Sequence, residues 1–188
     1  MSRNIQLPFV LVTGNRGKIA EARLAVGADL EAVEVDLPEI QSLDFLEVAR
    51  AKAEEAWRRL GRPLIVEEAG LELTALNGFP GPLVKWMLQA VGAEGLARTA
   101  AALGDSRAVA RCFLLYWDGD REVIAEGRTE GTLVLPARGT HGFGWDPVFL
   151  PNGPDTETRT FAELTGTEKG AVSHRGKAWR EMARKLGL

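Results

Sequence analysis

Four short segments of this 188-residue chain collect the residue types that handle phosphate, metal ions and planar rings. Thr13-Gly14-Asn15-Arg16-Gly17-Lys18 sits between an apolar run and a run of helical periodicity. A glycine-containing turn at such a junction exposes backbone N–H groups at a helix N-terminus, which attract phosphate. Thr13 and Asn15 can add side-chain donors, and Lys18 adds charge. It is not a Walker A loop: the spacing is short, and Ile19 follows the lysine where Ser or Thr would hold magnesium. Alone, such a hexapeptide is most often a plain strand-to-helix turn. Val66-Glu67-Glu68-Ala69-Gly70 puts two adjacent carboxylates at the end of an apolar strand. That placement suits magnesium, held through one or two carboxylate oxygens and water. Glu39, just after Pro38, is a third acid that could converge with them. The plain alternative is a solvated acidic edge.

In His141-Gly142-Phe143-Gly144-Trp145-Asp146-Pro147, two aromatics separated by a glycine could clamp a planar base, with Asp146 accepting from its N–H groups. The polar and flexible neighbours of this loop predict that it stays near the surface. In Glu168-Lys169-Gly170-Ala171-Val172-Ser173-His174-Arg175, Ser173 is a good N-cap, which places His174 and Arg175 in a first helical turn. Cations there oppose the helix dipole, at about 0.3–1 kcal/mol each, unless an anion or electron-rich group lies between them. Together the four segments supply a phosphate cradle, metal carboxylates, a base clamp and a basic helix start. Those are the parts needed to bind a magnesium nucleoside triphosphate.

The elements that must position them alternate. Pro8 to Thr13 reads as a buried strand, and Lys18 to Val26 as a helix with Ile19, Ala22 and Val26 on one face. Glu31 to Asp36 reads as a second strand. Asp44 caps a helix in which Leu46, Ala49, Ala53, Ala56, Trp57 and Leu60 recur at helical spacing, with Glu47 as capping-box partner and Gly61 at its end. Leu64 to Val66 and Leu71 to Leu76 read as separate short strands. After the dense turn Asn77 to Pro82 come two helices, around Leu83 to Val91 and Glu94 to Leu103. Ala108 to Trp117 and Glu122 to Gly127 form a hairpin about Asp118-Gly119-Asp120. Gly131 to Leu135 is a further strand, and the chain to Thr160 is loop with a short strand at Val148 to Leu150. A last helix runs from Ser173 to about Leu186. The pattern predicts an α/β fold with a mixed sheet. Trp57, Trp86, Trp117 and Trp179 lie in periodic stretches and are expected in the core.

Composition narrows the class. Apolar residues are 45% and charged residues 26% of the chain, ordinary for one globular domain. The net charge of -3 argues against a broad nucleic-acid surface. The longest apolar runs, such as Phe113 to Trp117, fall far short of the roughly 20 residues of a membrane span. The N-terminus lacks a secretory stretch, and a lone cysteine, Cys112, excludes an internal disulfide and fits a cytoplasmic setting.

The order TGNRGK, DLPE, VEEAGLEL-ALNGFPGPLVKW, FGWDPVF, TFAEL, EK and SHRGKA resembles the inosine triphosphate pyrophosphatase family over about Phe9 to Ala178. The resemblance implies an elongated mixed sheet with two lobes of helices and a substrate cleft between them, in a homodimer. It implies Mg2+-dependent cleavage of ITP, dITP and XTP between the α- and β-phosphates, releasing a monophosphate and pyrophosphate. By position, Thr13, Asn15, Lys18 and Lys52 would hold the triphosphate, and Glu39 and Glu68 the magnesium. Glu68 or Glu67 would activate water, while Lys18, Lys52 and Lys169 would neutralise the leaving group. Phe143 would stack on the base, Trp145 and Asp146 would line its pocket, and Lys169, Ser173, His174 and Arg175 would contact base and phosphates. Donors at His174 and Arg175 would favour a 6-oxo purine and reject adenine.

The chain departs from the family's usual pattern at four places: Glu68 for Asp, Ala69 for Ser or Thr, Gly170 for Asn, and Leu83 for an aromatic. The first lengthens a functional carboxylate by one methylene. It opens the alternative of a nucleotide-binding sensor or weakly active paralogue. A pyrophosphatase for pyrimidine or broader substrates is a further alternative, opposed by the purine clamp.

Overall fold

The computed structural model describes residues 7–153 and 158–188. The N-terminal segment and part of the loop before Thr160, both read above, lie in residues 1–6 and 154–157, outside the described residues. The elements in order are β1 (Val10–Val12), α1 (Arg16–Val26), β2 (Ala32–Val33), α2 (Phe45–Leu60), β3 (Leu64–Leu73), β4 (Pro80–Gly81), α3 (Val84–Ala102), β5 (Arg107–Trp117), β6 (Glu122–Leu133), β7 (Phe149–Pro151), α4 (Gly166–Val172) and α5 (His174–Leu186). The sheet runs β2-β1-β3-β5-β6-β7, with β4 on β3. β1 is parallel to β2 and β3, and the other pairings are antiparallel, so the sheet is mixed as expected.

Strand alternation assigns the two faces. Leu11 and Ile65 pack with Cys112, Leu114 and Ala125 under α1 and α5, where Trp179 and Met182 are fully buried. Val10, Val12, Leu64 and Val66 pack with Leu115 under Ala49, Ala53 and Ala56 of α2. Beyond these, the far ends of β3 and β5 carry Leu71, Leu73, Ala108 and Ala110 against Leu96, Ala97 and Ala100 of α3, beside Phe149 and Phe161. That third cluster is the core of the second lobe.

Several sequence expectations are corrected. The strands expected at Leu64–Val66 and Leu71–Leu76 are one continuous β3, and Thr74–Leu76 is a 3-10 turn. The reason is tertiary: β5 pairs with β3 along its whole length, from Leu64↔Trp117 to Leu73↔Ala108, and carries it through Gly70. Glu67 and Glu68 therefore stand mid-strand. The strand expected at Gly131–Leu135 is the end of β6, and β2 is reduced to Ala32–Val33. The two helices expected after the Pro-Gly turn do form, as the two halves of α3 on either side of Gly92, whose φ of 71° leaves the helical region. Asp44 caps α2 by accepting from the Leu46 and Glu47 N–H groups. Its expected box partner Glu47 instead accepts from the Ser42 hydroxyl, and Ser42 Oγ accepts the Asp44 N–H. Trp179 is in the core and Trp57 and Trp117 pack at its margin, but Trp86 is 48% exposed and lines the cleft described next.

Candidate active site

β1 stops at Val12, opposite Val66, while β3 runs on. The next two residues of β3, Glu67 and Glu68, thus meet open space where their parallel neighbour ends. A cleft of about 1090 Å³ begins there, lined by Thr13, Asn15, Lys18, Glu39, Lys52, Glu67, Glu68, Lys85, Trp86, Phe143, Trp145 and Arg175, among others. Openings at the carboxyl ends of parallel strands are the usual place for ligands in such sheets.

The turn after β1 has the predicted form. Asn15 caps α1 by accepting the Lys18 N–H at 3.1 Å, and Thr13 Oγ1 accepts the Asn15 N–H at 3.1 Å. Those bonds use oxygens and leave the Thr13 hydroxyl hydrogen and the Asn15 amide as donors. The Phe143 ring packs directly on Gly17: a Cβ there would lie 2.5 Å from the ring, so a larger residue would push the ring away.

Adjacent residues of a strand point to opposite faces, and this separates the two glutamates. Glu68 faces α2. Lys52 lies in the buried stripe of α2, four residues after Val48 and three after Ala49, so its stem runs along the sheet. Its Nζ is 2.7 Å from Glu68 Oε2 and 3.1 Å from Glu39 Oε1. Lys85 Nζ takes the other Glu39 oxygen at 3.0 Å. Burial works against the charge on Lys52, but Glu68 and Glu39 outweigh it and raise its pKa.

Glu67 faces α1 and α5. Arg175 Nε reaches both its oxygens at 3.0 Å, and Lys18 Nζ lies 3.3 Å from Oε1. Burial alone would raise the Glu67 carboxyl, yet Arg175 and then Lys18 overcome it and hold it at about 2. Arg175 also donates to Glu21 Oε2 at 2.7 Å, and Lys169 Nζ bridges Glu21 at 2.6 Å and Asp146 at 2.7 Å. Of the two residues expected to oppose the α5 dipole as cations, only Arg175 lies among anions, and side chains of the protein supply them. Ser173 accepts the Gly176 N–H as the cap.

The loop lies near the surface as expected, with His141, Gly142 and Gly144 exposed, but Asp146 turns inward: it is 3% exposed and accepts from the Phe143 N–H at 2.7 Å and from Lys169 Nζ. Burial raises its pKa in spite of Lys169. Phe143 rests on Gly17, with the Lys169 and Arg175 cations 5.1 and 5.3 Å from its ring centre. Lys169, Asp146, Ser173 and His174 do not line the cleft. His174 is fully buried, 6.0 Å from both Trp145 and Phe161. Neither of its ring nitrogens, nor Trp145 Nε1, has a hydrogen-bond partner among the described residues. Burial first, then Arg175 and Lys169, push the His174 pKa well below the usual histidine range, so the ring is neutral at physiological pH. A close approach docks α5 here: a Cβ on Gly127 would lie 1.9 Å from the His174 carbonyl oxygen.

Three site residues were missed from sequence. Glu21 lies three residues after Lys18 on α1, a spacing that puts both on one helix face. Lys85 and Trp86 are carried to the cleft by the first half of α3, before the Gly92 break.

The model of the Ham1 family matches residues 9–185. The chain belongs to the Ham1 family. A dITP/XTP pyrophosphatase of Thermococcus kodakarensis is 37% identical over 178 residues, covering 93% of this chain and 95% of the relative. An inosine triphosphate pyrophosphatase of Yarrowia lipolytica is 41% identical over 177 residues, covering 92% of each. A solved HAM1 protein from Coxiella burnetii superposes with a TM-score of 0.79 at 28% identity, covering 97% of this chain and 98% of that one. This agrees with the mixed sheet and paired lobes expected for a Ham1 family member.

Proposed function

We propose that this protein is a magnesium-dependent pyrophosphatase that hydrolyses ITP, dITP and XTP to the monophosphate and pyrophosphate, clearing deaminated purines from the nucleotide pool. One observation carries the reading: a single cleft holds a phosphate-type turn, a carboxylate–lysine cluster and an aromatic wall backed by buried donors. The names of the Thermococcus and Yarrowia relatives support the substrate class.

The donor set fits magnesium, which takes one or two carboxylates and completes its shell with water and phosphate oxygens. Glu39 and Glu68 already share one ammonium at 3.1 and 2.7 Å, and no cluster of three or more metal-type ligands forms among the described residues. When bound, the ion supplies charge neutralisation and polarises the phosphoryl oxygens. The α1 N-terminus, Thr13 and Asn15 hold the phosphates. Lys18, Lys52 and Lys85 offset the charge growing on the pyrophosphate. Lys169 leaves that role, because it is committed to Glu21 and Asp146 away from the cleft.

Glu68 is the general base that takes the proton of the attacking water. Glu67, held at about 2 beneath Arg175 and Lys18, is too weak a base and positions those two cations instead. On the base side Phe143 lifts from Gly17 and stacks on the purine. Arg175 on the cleft wall and, once the aromatic wall has opened to it, the single N–H of neutral His174 face the 6-oxo group, and adenine's amino group would leave those donors unpaired. The orphaned His174 nitrogens support this assignment. The reading carries with it a homodimer and a cytoplasmic setting. No helix of the described residues is long and apolar enough to cross a membrane.

Pyrophosphate release from ITP, XTP, ATP and GTP, with and without Mg2+, tests the reading. We expect ITP and XTP to be strongly preferred and Glu68→Gln to lose about 100-fold or more. Equal turnover of ATP would sink the substrate assignment. Glu68 standing where the family usually has Asp favours a second reading, a binder with little turnover. ITP binding without hydrolysis, restored by Glu68→Asp, would support it.

A further inference from the structure

We propose that Lys52 occupies the metal position in the nucleotide-free protein and surrenders it only when a triphosphate arrives. This rests on the reading of Glu39 and Glu68 as the magnesium carboxylates. The two acids come from separate parts of the chain, a loop after β2 and the middle of β3, and the ammonium of Lys52 is what joins them, at 3.1 and 2.7 Å. It therefore sits between the two oxygens that a divalent ion would take.

Lys52 can leave the carboxylates only toward the cleft that it lines. Its side chain is 14% exposed, and its stem enters along the packed face of α2. Its travel is limited to the carboxylates on one side and the cleft on the other. A divalent ion entering alone would meet a trapped like charge, at a site whose negative charge is already neutralised. A triphosphate in the cleft brings new negative charge to the open side. Lys52 then changes partner from carboxylate to phosphate, and the two acids are released together. Metal and nucleotide thereby bind as one event, and the nucleotide-free protein does not stand loaded. Lys85 is a different case, since it touches Glu39 alone and is 56% exposed.

The test is Mn2+ binding to nucleotide-free full-length protein, followed by the free-ion EPR signal and by titration calorimetry. Wild type is expected to bind weakly. Lys52→Met should bind at least about tenfold more tightly, since a unit charge within a few ångströms is removed. Lys52→Gln, which keeps a donor between the acids without the charge, should move the same way and covers the case in which Met is not tolerated. Lys52→Arg should stay near wild type, and Lys85→Met should gain far less than Lys52→Met. If Lys52→Met and Lys52→Gln bind Mn2+ no better than wild type while Glu39→Gln weakens binding, the carboxylate site stands and the displacement idea is overturned. If adding Glu39→Gln or Glu68→Gln to Lys52→Met leaves Mn2+ binding unchanged, the ion is not at these acids and both readings fall.

Discussion

The two sides of the cleft are built from the same kinds of charge under opposite conditions. On the base side, Arg175, Glu67, Lys169 and Asp146 have side chains no more than 5% exposed, and each is tied to at least two partners. On the phosphate side, Glu39 and Lys85 are 42% and 56% exposed and pair directly at 3.0 Å at the solvent edge, although Lys52 and Glu68 beside them are 14% and 9% exposed. A buried charge that loses its partner is left in a poor medium, so the base side has one arrangement. An exposed pair is screened and exchanges readily. The difference fits the tasks proposed above: a purine would be read by groups of fixed direction, whereas phosphates and metal would need cations that can change hands.

The sharpest way to break this contrast is Arg175→Met. It leaves buried Glu67 with Lys18 alone and Glu21 with Lys169 alone, and we expect a loss of about 3–5 kcal/mol in urea unfolding. Adding Glu67→Gln should recover part of it. A loss no greater than that of an exposed lysine would erase the distinction.

His174 tests the same side through pH. Its folded pKa is depressed, so below about 6.5 the unfolded chain takes up a proton that the folded protein refuses. Stability therefore falls as pH drops from about 6.5, with a slope of up to about 1.4 kcal/mol per pH unit from this group. Glu67 acts in a separate window: its contribution is full above about 4.3 and is lost as pH falls toward about 2. Unfolding of His174→Phe between pH 7 and pH 5 should show a flatter dependence than wild type. An unchanged slope would mean that the ring is not held neutral.

The smallest effect belongs to the exposed side. Lys85→Ala should cost less than about 1 kcal/mol of stability, and that difference should shrink further in high salt. Its consequence should lie in KM for the triphosphate.

Much of the site was legible because its parts are local. The turn Thr13 to Lys18, the Asp44 and Ser173 caps and the β5–β6 hairpin follow from neighbours within a few residues. What escaped depends on distant partners. Gly70 and two glutamates look like the end of a strand until β5 is known to pair alongside them. Asp146 looks like a loop acid until Lys169, 23 residues away, neutralises it in the interior. Trp86 looks like core by periodicity, but its half of α3 turns into the cleft. Glu21 had a signal in its spacing from Lys18, yet its purpose appears only with Arg175, 154 residues on.

The continuity of β3 has a further consequence. One peptide bond separates the carboxylate proposed to anchor base reading from the one proposed for phosphate chemistry, and strand parity alone decides which is which. Removing or adding a single residue between Leu64 and Glu67 would leave composition, charge and hydropathy almost unchanged. It would also turn each acid toward the other's partners, putting Glu67 on the Lys52 face and Glu68 on the Arg175 face. This short stretch is therefore a counting device, tolerant of what its apolar residues are and intolerant of how many there are.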